Sequence, residues 1–361
     1  MKAKQRNGKI ELLRFVFSVI VMLFHAGNIE GYGNVLFKSG AFAVEFFFIV
    51  SGYLMAASIA KANSSGELSL GTETFLFLKK KVIGIYPELF FSYIISVAIY
   101  TLAGKLNFGE VVNLITRSLG DLTLIKMTGI GVKSVNGNVW YISSMLLVMA
   151  ILYPLIRRYR DVMLKIVLPV AALLAFGFLC QETGVLRSPG EWMGWTYRGN
   201  PRAFAGVSLG AVCYPLSQKL GRVNLTGIGK WLCTIAEWGI YLFVLRFTYF
   251  GTSSKLDYFY VLFMAAAVVI TFSRQSVDAA LFDNKVCYWL GKFSLPVFLS
   301  HSAWCKQIDA LAPADASVEW RVAAYIVCSV VTAFAVYFIS ALWRRVSPFV
   351  RERLSKMLVK R

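Results

Sequence analysis

Charge is scarce in this sequence. Of its 361 residues only 16% are Asp, Glu, Lys or Arg, against about 25% in an ordinary soluble protein, so a chain of two or three soluble domains is excluded although the length would allow it. Histidine is scarcer still, with only His25 and His301. The six cysteines, Cys180, Cys213, Cys233, Cys287, Cys305 and Cys328, show no Cys-x-x-Cys spacing. That argues against redox and metal sites and marks them as small core residues. No self-similar period of 20–50 residues is present, which excludes a repeat array. A cleavable signal peptide is not expected, because the first apolar stretch contains Glu11 and Arg14 and leads straight into a second.

Apolar residues are what the chain has in excess: 57% of it, with a mean hydropathy of +0.62. Stretches near the length that crosses about 30 Å of hydrocarbon fall at 10–27, 38–60, 82–103, 139–156, 164–182, 201–217, 229–249, 257–273, 290–307 and 322–343. The fold class expected is all-α, a polytopic transmembrane helical bundle of about ten spans. The sixth and ninth stretches are the weakest, one being short and the other carrying Lys292, Ser294, Pro296, Ser300 and His301. The formal charge of +19 then belongs to loops and not to a nucleic-acid surface. Lysines and arginines collect between alternate spans, at Lys61, Lys79–Lys81, Arg157–Arg160, Lys219–Lys230 and after residue 343, which places both termini in the cytoplasm.

One membrane domain is expected over 1–343, followed by a basic amphipathic tail over 344–361 suited to the anionic inner leaflet. Within the long break 104–138, Val111, Val112, Leu114, Ile115, Leu119 and Leu122 recur at helical spacing. This predicts a helix on the outer surface or over a cavity. The loop 183–200 carries Trp192, Trp195 and Tyr197, rings that suit either a sugar face or the membrane interface.

Ionisable groups inside a bilayer are costly, so those in the spans are the first candidates for chemistry. Arg14 and His25 stand eleven residues apart in the first span. They share a face to within about 20° and are separated by about 16 Å along the axis, as if lining a shaft between the two sides. Glu45 opens the antiparallel second span at the depth of His25, where a carboxylate would orient the imidazole and raise its basicity. Gly52, seven residues on, suits either close approach of a substrate or helix packing. Lys79, Lys80 and Lys81 stand at the inner mouth of the third span, able to receive phosphates or simply obeying the positive-inside bias.

Several of these segments resemble, in order, the motifs of the acyltransferase 3 family of bacterial integral-membrane O-acyltransferases. Arg14 through His25 is similar to its R-x10-H signature, and Glu45-Phe-Phe-Phe-Ile-Val-Ser51-Gly52-Tyr53 to its second helix. Lys79-Lys80-Lys81-Val-Ile-Gly84-Ile-Tyr86-Pro87 resembles the third, Trp140-Tyr141-Ile-Ser143 the fourth, and Phe293 through Ser300-His301 the ninth. The sequence departs from the pattern in having lysines where arginines are common and Gly84 where one arginine often stands; lysine lacks the bidentate fork, so the grip on phosphate is either looser or supplied by other residues.

The resemblance implies transfer of an acyl group, most often acetyl, from acyl-CoA as co-substrate to a sugar hydroxyl of a cell-surface or lipid-linked glycan, at the bacterial inner membrane, with no metal and no bound cofactor. On that reading His25 and Glu45 are catalytic, and Arg14, Lys79, Lys80 and Lys81 hold the donor. Ser51, Tyr53, Trp140, Tyr141 and His301 then contact substrate. The partners expected are acyl-CoA, the carbohydrate acceptor and membrane lipid, without nucleic acid. His25 acts either as general base or as an acylated intermediate. The alternatives are a proton-coupled exporter of a sugar or lipid-linked glycan, which also uses membrane carboxylates and histidines, and a non-catalytic partner in a polysaccharide-synthesis complex.

Overall fold

The computed structural model describes residues 6–33, 35–62, 68–130 and 133–358, with side chains described as far as 347. Its helices are α1 (Gly8–His25), α2 (Ala43–Ala62), α3 (Leu70–Gly104), α4 (Phe108–Thr123), α5 (Val139–Arg158), α6 (Arg160–Val162), α7 (Leu168–Thr183), α8 (Gly199–Gly221), α9 (Gly227–Phe250), α10 (Asp257–Ser273), α11 (Lys285–Leu311) and α12 (Val318–Leu358). A π-helical turn, Met163–Val167, joins α6 to α7. No β-strand is present among the described residues beyond one isolated bridge, Trp192 to Tyr197.

Polar residues just outside the apolar runs fix the starts of several helices by accepting from the first free backbone amides. Asn7 caps α1, Ser69 caps α3, Thr226 caps α9 and Asn284 caps α11. The Ser69 cap starts α3 well before the apolar stretch 82–103, so Lys79, Lys80 and Lys81 lie on the helix itself. At 35 residues α3 is about 52 Å long, more than a hydrocarbon core requires.

Each of the ten apolar stretches is occupied by helix. Seven helical segments are long and apolar enough to cross a membrane, and α10 is a shorter apolar helix. α8 and α11 have 23 and 27 residues but lack the apolarity, because they carry Arg202, Lys292, His301 and Lys306 among their small and hydroxylated residues. The break 104–138 holds α4, begun by a capping box between Asn107 and Glu110. The segment from 344 is not a separate helix but the continuation of α12, and its Arg344 pairs with Glu88 of α3 at 2.6 Å. The side chains proposed for an amphipathic face beyond 347 lie outside the described residues.

α1 packs chiefly on α11 and α2 on α8, while α11 is also flanked by α3 and α12. The α2–α8 contact is made by glycine. A Cβ on Gly52 would meet the Val207 carbonyl oxygen at 2.0 Å, and one on Gly210 would meet that of Ile49 at the same distance. Gly52 therefore serves helix packing, and Gly206 and Gly210 complete a small-residue seam of the kind that brings membrane helices into backbone contact.

The two ends of the bundle differ. At the end where α1 begins, buried Lys9 donates to Glu237 at 2.9 Å and to Asp278 at 2.8 Å, tying α1 to α9 and to the turn before α11. In that turn burial opposes ionisation of Asp278 and Asp283. The bonds from Lys9 and Trp238 to the first, and from Arg274 and the Gly8 amide to the second, outweigh it and hold both below the ordinary carboxylate range.

At the opposite end α4 leans on α3 through a Tyr93–Ser118 hydroxyl pair 2.8 Å apart. Asp121 of α4 accepts from the Val135 and Asn136 amides, each at 3.0 Å. Burial pushes its carboxyl up and pushes the neighbouring Lys126 ammonium down to about 8, each charge countering the effect on the other. This cluster fixes residues 133–138, the entry into α5.

Candidate active site

His25, the last residue of α1, lines a cavity of about 220 Å³, the liquid volume of about seven waters. Its walls include Val21, Asn138, Trp140, Arg187, Arg202 and Phe298. The imidazole Nδ1 lies 2.7 Å from the Val21 carbonyl oxygen. A carbonyl can only accept, so Nδ1 carries the proton and the lone pair falls on Nε2. Nε2 has no hydrogen-bond partner among the described residues, which leaves it to whatever occupies the cavity.

The second histidine sits against the first, with ring centroids 5.1 Å apart. His301 of α11 is fully buried, and its Nδ1 donates to the Val297 carbonyl at 3.0 Å. The Asn138 amide nitrogen donates to the Phe298 carbonyl at 2.7 Å and to His301 Nε2 at 3.0 Å. Both nitrogens of His301 are thus engaged and its ring is a neutral wall, while the ring of His25 keeps a free basic atom.

Glu45 does not meet His25. It is wholly buried and pairs with Arg202 of α8, whose guanidinium also donates to the Ala41 carbonyl at 2.7 Å and lies over the Trp140 ring at 5.4 Å. A permanently charged guanidinium is the stronger partner for a carboxylate away from water, and the imidazole is already anchored by its own helix. Glu45 therefore shapes the cavity through Arg202, and the pairing of Glu45 with His25 expected from the sequence is corrected.

The other expected residues fall into three places. Trp140 lines the His25 cavity, and His301 backs its wall through the His25 ring and Asn138. Ser51 and Tyr141 form a hydroxyl pair 3.0 Å apart, and the Tyr141 phenol lies within electrostatic reach of Arg14. Tyr53 faces away from both, bonding Ser217 at 2.9 Å at the other end of α2. Arg14 bonds Glu11 at 3.3 Å and is 31% exposed. Lys81 is half-buried and within electrostatic reach of Arg14, whereas Lys79 and Lys80 are exposed, Lys79 lying over the Phe75 ring.

Arg14 and His25 share a helix face, eleven residues apart on α1. Phe17 and Val21 of that helix are buried. Phe47, Tyr141 and Phe298 form an aromatic cluster with centroids about 6 Å from one another, and Phe298 belongs to the cavity wall. The loop 183–200 contributes Arg187, Ser188 and Pro189 to the cavity wall in place of its aromatic residues. Trp192 packs edge-on against Tyr197, and Trp195 is 75% exposed.

Sequence reasoning missed Arg202, Asn138 and Arg187. An arginine inside the span 201–217 was a signal by the same criterion that singled out Arg14. Asn138 and Arg187 carried none.

The arrangement is a basic imidazole nitrogen at a partly open cavity whose largely apolar wall carries Arg187, Arg202 and Asn138, with a cation along the same helix toward the other end. The model of the acyltransferase domain matches residues 7–342. The chain belongs to the acyltransferase 3 family. No curated protein and no solved structure matches it. Membership makes the protein a membrane acyltransferase, and the apolar helices agree with that.

Proposed function

We propose that this acyltransferase moves an acyl group, most readily acetyl, from acyl-CoA to a sugar hydroxyl of a cell-surface or lipid-linked glycan. We place it in the bacterial inner membrane with both termini cytoplasmic and ten spans, α8, α10 and α11 included. The observation that carries this reading is the free Nε2 of His25 in the cavity. The donor enters from the basic end, its diphosphate held by Arg14 and Lys81 in the field of Lys79 and Lys80, and the acceptor enters the cavity from the opposite face. Ser51, Tyr53, Trp140, Tyr141 and His301 line the route.

In the general-base route, His25 Nε2 takes the proton of the sugar hydroxyl as its oxygen bonds to the thioester carbonyl carbon. The tetrahedral intermediate collapses with cleavage of the carbon–sulfur bond, and the leaving thiolate receives the proton from His25. In the second route Nε2 attacks the thioester carbonyl carbon and CoA leaves as its thiolate. The sugar hydroxyl then attacks the acyl carbon, the carbon–nitrogen bond breaks to restore the neutral imidazole, and the hydroxyl proton passes to the thiolate. Either route brings the thioester from Arg14 to His25, past the aromatic cluster of Phe47, Tyr141 and Phe298.

Purified protein in detergent should release CoA from acetyl-CoA when acceptor is present. His25→Ala should lose about 10²-fold or more in turnover, the usual contribution of a general base. Undiminished turnover would end the assignment of His25, and transport of an unmodified glycan into sealed vesicles without CoA release would favour the exporter.

A further inference from the structure

A second cavity, of about 450 Å³, opens at the end of the bundle where α1 begins, between the start of α1 and the last turns of α2, α8 and α10. Four cations border it: Arg6, Lys61, Arg222 and Arg274. Two of them are matched, Arg6 by Glu11 at 2.9 Å and Arg274 by Asp283. Lys61 and Arg222 have no carboxylate partner among the described residues. One wall is aromatic. Tyr53 lies flat on Phe272, with centroids 3.6 Å apart, and meets Tyr214 edge-on at 5.5 Å.

We infer that this cavity binds the adenosine 3′,5′-bisphosphate end of the donor. The inference rests on the reading of the donor as an acyl-CoA and names where its nucleotide sits. The unmatched charge of Lys61 and Arg222 suits a phosphate monoester, which carries about −1.5 to −2 at neutral pH, and the arginine supplies the fork that the lysine-only cluster of α3 lacks. The aromatic wall, with the Tyr53 and Ser217 hydroxyls at its edge, suits a purine, since any base can stack on such a face. The volume lies within the range of about 300–1,000 Å³ usual for small-molecule sites.

The position fits the rest of the donor. Asn7, the N-cap of α1, lines this cavity; Arg14 stands about 10 Å further along the helix axis, and His25, on the face of Arg14, about 16 Å beyond that. A ligand held here by its nucleotide therefore points its diphosphate at Arg14 and its thioester toward His25. An anionic phospholipid headgroup offers similar phosphate chemistry, and the experiment separates the two.

The probe is adenosine 3′,5′-bisphosphate, titrated calorimetrically into the full-length protein in detergent, alongside acetyl-CoA kinetics. The wild type should bind it and gain thermal stability. Lys61→Ala/Arg222→Ala should weaken binding and raise the KM for acetyl-CoA by about tenfold or more, as expected for loss of charge-assisted hydrogen bonds. Lys61→Arg, which keeps both charges and the Arg222 fork, should retain most of both, and an unchanged melting temperature without ligand excludes misfolding. Equal bisphosphate binding and equal KM in the alanine variant would overturn the site while leaving the transfer reading intact. Binding lost in the variant, with no acyl transfer by the wild type, would sink the transfer reading and leave a nucleotide site. Displacement of the bisphosphate from wild-type protein by phosphatidylglycerol but not by acetyl-CoA would also overturn the proposal.

Discussion

Removing one member of the Glu45–Arg202 pair should be far worse than removing both. Glu45 is fully buried and Arg202 nearly so, so Arg202→Met strands a carboxylate away from water, and Glu45→Met strands a guanidinium. Breaking a buried pair in this way costs about 3–5 kcal/mol, whereas replacing both members by apolar residues is often close to neutral. Arg202 has a second role here, because its bond to the Ala41 carbonyl is lost in the double variant. That unpaired acceptor should leave a residual cost of about 1–3 kcal/mol. The double variant should therefore be at least as stable as either single one, with a coupling energy of several kcal/mol. The assay is a double-mutant cycle read from unfolding in mixed micelles, with acyl transfer measured on each variant. Additive losses would refute the ion pair. A variant Glu45→Gln that kept full stability and lost turnover through a shifted His25 pH profile would instead restore the carboxylate–imidazole pairing that the structure replaces.

Gly52→Ala should force α2 away from α8 and cost about 1–3 kcal/mol of stability, typical of overpacking; a variant that melts with the wild type would contradict the backbone contact. Asn138→Leu should free His301 Nε2 and lower turnover with little effect on the KM for acetyl-CoA, so a change confined to that KM would argue against its place beside the acceptor. The depressed carboxyls of Asp278 and Asp283 stabilise the fold fully above their unfolded value of 3.8, and that stability is lost as pH falls through the lower folded values. Asp283→Asn should therefore flatten the acid side of the melting-temperature profile below about pH 4, and an unaltered acid slope would refute the stabilising role of its bonds to Arg274 and the Gly8 amide.

The helices were legible because hydropathy over about 20 residues is a local property. So was the shared face of Arg14 and His25, which needs only the helical period. What stayed hidden depended on distant partners: Glu45 meets Arg202, and His301 meets Asn138, across interfaces that no local period encodes. The two stretches least convincing as spans, in α8 and α11, are the ones that bring Arg202 and His301 to the cavity. Their polarity weakened the signal and built the site. The start of α3 was missed for another reason, since residues 70–81 are too polar to count as a span yet are helical all the same.

The tether on His25 comes from the main chain of Val21. Every amino acid placed at position 21 brings the same oxygen, so exchange of that side chain leaves the tautomer of the ring untouched. A break in the last turn of α1, which would move the Val21 carbonyl away from the ring, removes the arrangement. The proton inventory of the site is in this sense written into helical geometry, and drift in the neighbouring sequence can reshape the acceptor cavity without disarming the base.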